Sequence, residues 1–161
     1  MARWLKAAAR KLIDECQGNA GSIWRDCLTA GEVIEWLCEF SGIGQKKAHM
    51  MARLLHEDRA GKKFARWRDI NVAVDVHVRR VFKRTGLAPS AETAEILAAA
   101  MRLHPRYLGA LDEPAWRLGL EWCGLRADCD GKRHADRRAC PIRKVCPQIS
   151  RGRLDYGGRG N

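Results

Sequence analysis

The apolar residues in the first third of the chain recur every three or four positions, the period of an amphipathic helix. This spacing predicts a helix over residues 4–16, a second one behind Thr29 and a third from Gln45 to about Glu57. Thr29 and Glu32 have the spacing of a capping box, in which each side chain accepts from a free backbone N–H. The predicted apolar stripes are Trp4, Leu5, Ala8, Leu12 and Ile13, then Val33, Ile34, Leu37 and Cys38, then Ala48, Met51, Leu54 and Leu55.

The helical period returns in the second half of the chain. Asp75 is a favoured N-cap residue at the start of one helix, and further helices are predicted from Pro89 to Pro105 and from Asp112. Residues 57–69 are highly charged and predict a loop or a frayed helix end. The residues expected to face inward are Val78, Val81 and Phe82, then Ile96, Leu97, Ala100 and Met101, then Trp116, Leu118 and Leu120. The residues expected to face solvent after Asp75 are Arg79, Arg80, Lys83 and Arg84. The pattern as a whole favours an all-α fold.

The charge of the chain narrows the class of partner. Its 161 residues carry 30 Lys and Arg against 19 Asp and Glu, a formal charge of +11, which favours a polyanion such as nucleic acid. No apolar run approaches the roughly 20 residues that span a membrane, and the first residues lack the apolar stretch of a signal peptide. We therefore expect a cytoplasmic, nucleoid-associated protein without a membrane partner. Its seven cysteines are then expected to be thiols or metal ligands instead of disulfides.

A short glycine turn lies between the second and third predicted helices. Gly42, Ile43 and Gly44 leave little room for side chains, and glycine readily adopts a positive φ. The next helix begins at once, so its first free N–H groups form an anion site. Lys46 and Lys47 lie in that first turn, where cations oppose the helix dipole unless an external anion is present. The stretch therefore predicts a turn that binds a nucleic-acid phosphate beside an amine.

Four cysteines near the C-terminus are spaced as candidate metal ligands. Cys123, Cys129, Cys140 and Cys146 are separated by five, ten and five residues, without the Cys-x2-Cys pair that structural zinc sites usually use. A four-thiolate [4Fe–4S] loop does not require that pair. His134 is an alternative ligand, and zinc or no metal at all stays open. The remaining cysteines are expected in the core and are Cys16, Cys27 and Cys38.

Three of these motifs together resemble one protein family. Residues 42–48 resemble the helix-hairpin-helix of the endonuclease III-like DNA glycosylases. Residues 74–81 match the Val-Asp-x-His-x-x-Arg-Val form of that family's aspartate motif, and residues 121–123 and 140–146 resemble the two ends of its iron–sulfur loop. The resemblance implies that Lys46 is the nucleophile and Asp75 its acidic partner. It also implies DNA contacts from Gly42, Ile43, Gly44, Gln45, Lys47 and Arg79, and a [4Fe–4S] cluster on the four cysteines above.

The resemblance implies a fold and a function as expectations. The fold is a partial helical barrel over residues 1–122, with the hairpin at 31–57 and the aspartate helix at 75–85, followed by an iron–sulfur loop at 123–147 and a flexible basic tail at 148–161. The function is base excision DNA repair by a DNA glycosylase with abasic-site lyase activity. The partner is double-stranded DNA with a damaged base or an abasic site, bound by a monomer.

The chain departs from the family pattern at two places. Arg137 stands where the family has its second cluster ligand, so Cys129 has to replace it. Family members also carry several helices before the stretch matched by residues 4–16, so we expect a short form or a partner chain that supplies those helices.

Less specific interpretations stay open beside the enzyme. In these, Lys46 is a simple phosphate contact, or Lys47 is the nucleophile in its place. Asp75 is then a helix cap alone, and His77 is expected to be structural in either case. The corresponding alternatives for the whole chain are a non-catalytic helix-hairpin-helix DNA-binding module, a truncated relative, and a metal-stabilised fragment that folds with a partner.

Overall fold

The computed structural model describes residues 2–58, 63–132 and 136–147. Within those ranges the protein is helical and has no strand, which confirms the all-α prediction. None of the helices found there is both long enough and apolar enough to cross a bilayer. The helices are α1 (Ala2–Cys16), α2 (Ser22–Arg25), α3 (Ala30–Cys38), α4 (Gln45–Glu57), α5 (Val76–Arg84), α6 (Thr93–Leu103) and α7 (Asp112–Glu121), with short 3-10 turns at Trp67–Asp69 and Leu108–Leu111.

The chain packs as two units. The boundary between them falls inside residues 1–122, the span predicted to form one helical domain. The first contains Met1–Ala73 and Arg106–Gly109, and the second contains Val74–Pro105 and Ala110–Asn161. The tail predicted at 148–161 lies outside the described residues.

The first unit is centred on α3 and α4, which pack against each other. The predicted capping box is confirmed, because the Thr29 hydroxyl accepts from Glu32 N and the Glu32 carboxylate accepts from Thr29 N. The segment after α4 returns beside α3, where Ala65 exchanges backbone hydrogen bonds with Leu28 and Ala30. The predicted stripe of α3 is confirmed for Val33, Ile34 and Leu37, which are buried together with Ala30, whereas Cys38 is only half-buried.

Two apolar stripes of the first unit differ from the prediction. On α4 the buried positions are Ala48, Ala52 and Arg53, while Leu54, predicted to face inward, is 52% exposed. The buried face of α4 therefore carries two alanines, and the larger Leu54 side chain lies outside it. On α1 the helix is confirmed, but Trp4 and Leu5 at its start are more than half exposed, as is Ile13. Lys11 holds α1 to the end of α3 through an ion pair with Glu39 at 2.8 Å.

Two histidines of the first unit accept hydrogen bonds from the backbone of later segments. His49 Nδ1 accepts from Asn71 N at 3.0 Å, and His56 Nδ1 accepts from Phe64 N at 3.2 Å. The His56 ring also stacks on Trp67 at 5.1 Å between centroids. Burial lowers the pKa of His49, and burial together with the Lys63 ammonium lowers the pKa of His56, with Glu57 opposing. Nδ1 of either histidine can accept a hydrogen bond only while its ring is neutral, because both nitrogens of a protonated ring are donors.

We therefore expect the protein to lose stability in mild acid. A histidine whose pKa is lower in the folded state contributes stability that is present above its unfolded pKa of about 6.5 and is lost as the pH falls from there toward the folded pKa. Chemical denaturation at pH 7.5 and at pH 5 should show a lower free energy of unfolding in acid. His49→Asn keeps an acceptor near the Nδ1 position without titrating, so it should reduce this difference; an unchanged difference would contradict the assignment to His49.

The second unit is built on α5 packed against α7. The predicted inward residues of α5 are confirmed, because Val78, Val81 and Phe82 are at most 2% exposed. On α7 the prediction is wrong for Trp116 and Leu120, which are 41% and 51% exposed, whereas Leu118 is half-buried. The reason is that α7 presents its small residues Ala115 and Gly119 inward, so the α5 backbone lies too close for large side chains. Met101 of α6 is likewise exposed.

Gly119 of α7 lies directly against His77 of α5. A Cβ on Gly119 would lie 2.6 Å from His77 Cβ and 2.8 Å from His77 O, and backbone cannot move aside as a flexible side chain can. We expect Gly119→Ala to lower the free energy of unfolding by about 1–3 kcal/mol through overpacking. Thermal denaturation measures this. Gly124→Ala is the matched control, because its Cβ would meet only Arg126 O at 3.9 Å; equal losses in both variants would refute the packing argument.

Candidate nucleic-acid interface and cysteine cavity

The turn between α3 and α4 uses its two glycines differently. Gly42 has a φ of +86°, which confirms the predicted left-handed conformation, and its α-carbon faces the Trp4 indole. Gly44 has an extended backbone with a φ of −106° and does not need glycine for its conformation. A Cβ on Gly44 would meet nothing within 4 Å. Its lack of a side chain therefore leaves open space in front of the helix start.

The start of α4 presents free donors to that space. Gly44 is the N-cap and gives the helix no side-chain cap, and the first helical hydrogen bond runs from Ala48 N to Gly44 O at 3.1 Å. The N–H groups of Gln45, Lys46 and Lys47 have no acceptor within residues 2–58, 63–132 and 136–147. Such a helix start in a 13-residue helix favours an anion.

The two lysines of this turn have different surroundings. Lys47 Nζ donates to Gly42 O at 2.8 Å and so ties the helix back to the turn. Lys46 is exposed, and its amine has no hydrogen bond or ion pair with any residue in the described ranges. Of these two amines, Lys46 is therefore the one available to an external group.

Asp75 caps α5 in the second unit. One carboxylate oxygen, Oδ1, accepts from His77 N at 2.8 Å and from Val78 N at 2.9 Å, which confirms the predicted N-cap. The other oxygen has no hydrogen-bond partner among the residues that the structure describes. Asp75 is half-buried. The cap therefore fixes the carboxylate and leaves one oxygen for another role. Lys46 belongs to the first unit and Asp75 to the second.

Four α5 residues were predicted to face solvent, and for three of them the prediction is wrong. These three are half-buried and donate hydrogen bonds to other residues of the second unit. The Arg79 guanidinium donates to Ala91 O and, at 2.7 Å, to Thr93 Oγ1, so its DNA contact stays a prediction. Arg80 and Arg84 both donate to the carbonyl oxygen of Cys123, each at 3.3 Å. Only Lys83 of the four is exposed. Sequence reasoning missed this role; the one signal for it is that Arg80 and Arg84 stand four residues apart, on one face of the helix.

His77 packs under α7, as the structural interpretation predicts. Its ring lies edge-on to Trp116, with 6.4 Å between centroids. Its Nδ1 atom is buried and has no hydrogen bond to the described residues.

The four candidate ligand cysteines line one small cavity, although up to ten residues separate consecutive ones in sequence. The cavity has a volume of about 20 Å³, and its remaining walls are apolar apart from the Thr85 hydroxyl. The loop is held by backbone bonds from Cys140 N to Cys129 O at 2.9 Å and from Cys146 N to Ile142 O at 2.9 Å. The lining residues are Val81, Thr85, Leu118, Trp122, Cys123, Cys129, Cys140, Ile142 and Cys146.

Two of these thiols, Cys129 and Cys140, have a raised pKa. Burial raises the pKa of Cys129 and, against a hydrogen bond from the Ile142 backbone, also that of Cys140. Cys123 and Cys146 raise the pKa of both further, and Cys129 raises that of Cys140, because neighbouring thiolates repel. A cation placed between the sulfurs removes that repulsion, so binding of a metal would release protons.

The four thiols of the cavity suit a metal bound by thiolates, but the cavity is small. Four thiols suit zinc or an iron–sulfur cluster. About 20 Å³ is close to the space that one water needs, so the cavity would have to open for a cluster to fit. Within the described ranges no group of three or more His, Cys, Asp or Glu side chains is already arranged to hold a metal ion. The alternative ligand His134 lies outside the described residues.

Comparison with known proteins gives no independent assignment. Scans against protein-family models, curated proteins and solved structures found no significant match.

Proposed function

We propose that the protein acts on damaged DNA as a DNA glycosylase with abasic-site lyase activity. The observation that carries this is the start of α4, where three free N–H groups face open space beside the unpaired Lys46 amine. Phosphate binding at such a helix start is independent of sequence and suits a partner with a regular backbone. The formal charge of +11 favours the same polyanion.

Lys46 supplies the nucleophile in this proposal. Its neutral amine attacks C1′ of the ring-opened abasic sugar, and loss of water gives a Schiff base. Loss of the C2′ proton then expels the 3′ phosphate and breaks the strand. Lys47 is bound to Gly42 O, so it holds the turn in shape and does not compete for the sugar.

Asp75 supplies negative charge in the base-excision step. Cleavage of the base–sugar bond leaves positive charge at C1′, which a fixed carboxylate stabilises. The cap on α5 fixes the Asp75 side chain through Oδ1 and leaves the second oxygen for this purpose.

The variant Asp75→Asn removes the negative charge of the side chain but keeps its ability to cap α5. The asparagine side-chain oxygen can accept the same two N–H bonds, so α5 should stay folded while base excision falls by about 10²-fold or more through loss of the charge. Release of damaged base, followed by chromatography, measures the rate. Asp75→Ala, which also loses the cap, should in addition lower stability by about 1 kcal/mol. Base release by Asp75→Asn at the wild-type rate would contradict the assignment.

The cysteine loop holds a [4Fe–4S] cluster in this proposal, with zinc as the alternative. The ligands are Cys123, Cys129, Cys140 and Cys146. When bound, the group would cross-link four positions of the loop that follows α7. Basic side chains of the loop, including Arg126 and Lys144, then contact the DNA backbone.

One gel assay tests the function. The purified protein is incubated with an abasic duplex, with duplexes that carry oxidised or mismatched bases, and with an undamaged duplex of the same sequence. We expect strand cleavage of the abasic duplex and none of the undamaged one. A protein that binds all of them without cleaving any would exclude the lyase.

A second candidate is a DNA-binding module without catalysis. The observation in its favour is that the Asp75 carboxylate already has a structural role as the cap of α5. This candidate predicts salt-sensitive duplex binding that is indifferent to abasic sites and to Asp75→Asn.

A further inference from the structure

Arg84 connects α5 to the cysteine cavity through an unusual set of contacts. Its guanidinium donates to Gly124 O at 2.7 Å and to Leu125 O at 3.4 Å, in addition to Cys123 O. The Nη1 atom that donates to Gly124 O also lies 3.6 Å from Cys123 Sγ. In the part of the chain that the structure describes, no other side chain donates to the sulfur of these four cysteines.

The contact between Arg84 and the Cys123 sulfur is of a kind that changes the reduction potential of a bound iron–sulfur cluster. A guanidinium stays charged at every physiological pH, so Arg84 is a permanent positive charge and donor at the sulfur. Hydrogen bonds to ligand sulfurs and nearby charges are levers on the reduction potential of an iron–sulfur cluster. Because the reduced form carries one more negative charge, a cation stabilises it and raises the potential.

Arg80 provides an internal comparison. It stands one helical turn before Arg84 and donates to Cys123 O at 3.3 Å, without a contact to the sulfur. Both arginines are half-buried on the same face of α5. Arg80 therefore reports the effect of a positive charge near the loop, and Arg84 reports the same effect together with a hydrogen bond to the Cys123 sulfur.

We propose that Arg84 is a positioning residue that raises the reduction potential of the metal centre through its bond to Cys123 Sγ. The inference rests on the proposed cluster and does not depend on DNA chemistry. It adds a redox-tuning role to a residue whose sequence context indicates only a solvent-facing position on α5.

The test is a redox titration of the full chain, reconstituted with iron and sulfide and equilibrated with one-electron mediators in the absence of DNA. Arg84→Met should lower the equilibrium constant for reduction about tenfold, which is 59 mV for one electron. Arg80→Met should change it by less than about threefold. Arg84→Lys keeps the charge and loses the planar fork, so it should lie between Arg84→Met and the wild type.

Each result decides the inference. Equal shifts in Arg84→Met and Arg80→Met, or no shift in a fully loaded Arg84→Met, would overturn it, as would a wild-type protein that binds no cluster. If Arg84→Met fails to load, Arg84→Lys decides: a lower potential than the wild type supports the inference and an identical one refutes it. DNA cleavage is measured separately, so loss of the proposed function leaves this result standing.

Discussion

Lys46→Ala is expected to abolish covalent trapping of the protein on abasic DNA. Borohydride reduces the Schiff base between enzyme and sugar to a stable amine, so the cross-linked fraction on a denaturing gel reports the nucleophile. Removing a nucleophile that acts as part of a catalytic unit costs at least about 10³-fold in rate. The exposed, unpaired amine at the start of α4 is the structural reason to expect this loss at Lys46.

Lys47→Ala is the matched control, because it removes the neighbouring amine with the same formal charge. The Lys47 ammonium is bound to Gly42 O, so its loss should loosen the turn and weaken DNA binding while cross-linking persists within about tenfold. Persistence of cross-linking in Lys46→Ala together with its loss in Lys47→Ala would exchange the two roles. Wild-type cross-linking by both single variants would remove the nucleophile from this turn altogether.

Cys140→Ser is expected to empty the cysteine cavity of metal and to destabilise the second unit. Serine is a poor ligand for a thiolate-preferring centre, so metal content after purification should fall at least tenfold. Because the free energy of binding a structural metal contributes to folding, a 10–100-fold loss of affinity corresponds to about 1.4–2.7 kcal/mol and lowers the melting temperature by roughly 3–10 °C. Iron, sulfide and zinc analysis with a thermal melt measures both effects.

Cys27→Ser tests whether the effect is specific to the cavity. Cys27 and Cys140 are both 8% exposed, so burial of the introduced hydroxyl is matched. The Cys27 thiol donates to Ile23 O at 3.3 Å, a bond that serine can keep. Metal content should therefore stay at the wild-type level in Cys27→Ser. A melting temperature that falls equally in both variants, with no metal in the wild type, would show that the four cysteines are core thiols. Zinc without iron would select the alternative metal.

The candidate site was only partly predictable from the sequence. The free helix start at Gln45 and the cap at Asp75 depend on residues within four positions, and both lie where the pattern predicts them. The difference between Lys46 and Lys47 was not predictable, because it depends on a carbonyl that the turn at Gly42 brings within reach of one amine. The contact between Arg84 and Cys123 spans 39 residues, and helical periodicity carries no information about such a partner.

The local features of this protein were predictable from its sequence alone: its helical class, the capping box at Thr29 and the bounds of α4. These follow from side chains and N–H groups a few residues apart, whose geometry is the same in any helix. Only the tertiary structure decided which apolar side chains are buried and which residues meet around the cysteine cavity. Trp116 and Leu120 are exposed because Gly119 brings α7 close to α5, and Cys129 joins the other three cysteines because a loop folds back. Such contacts depend on how distant segments pack, which short-range pattern does not encode.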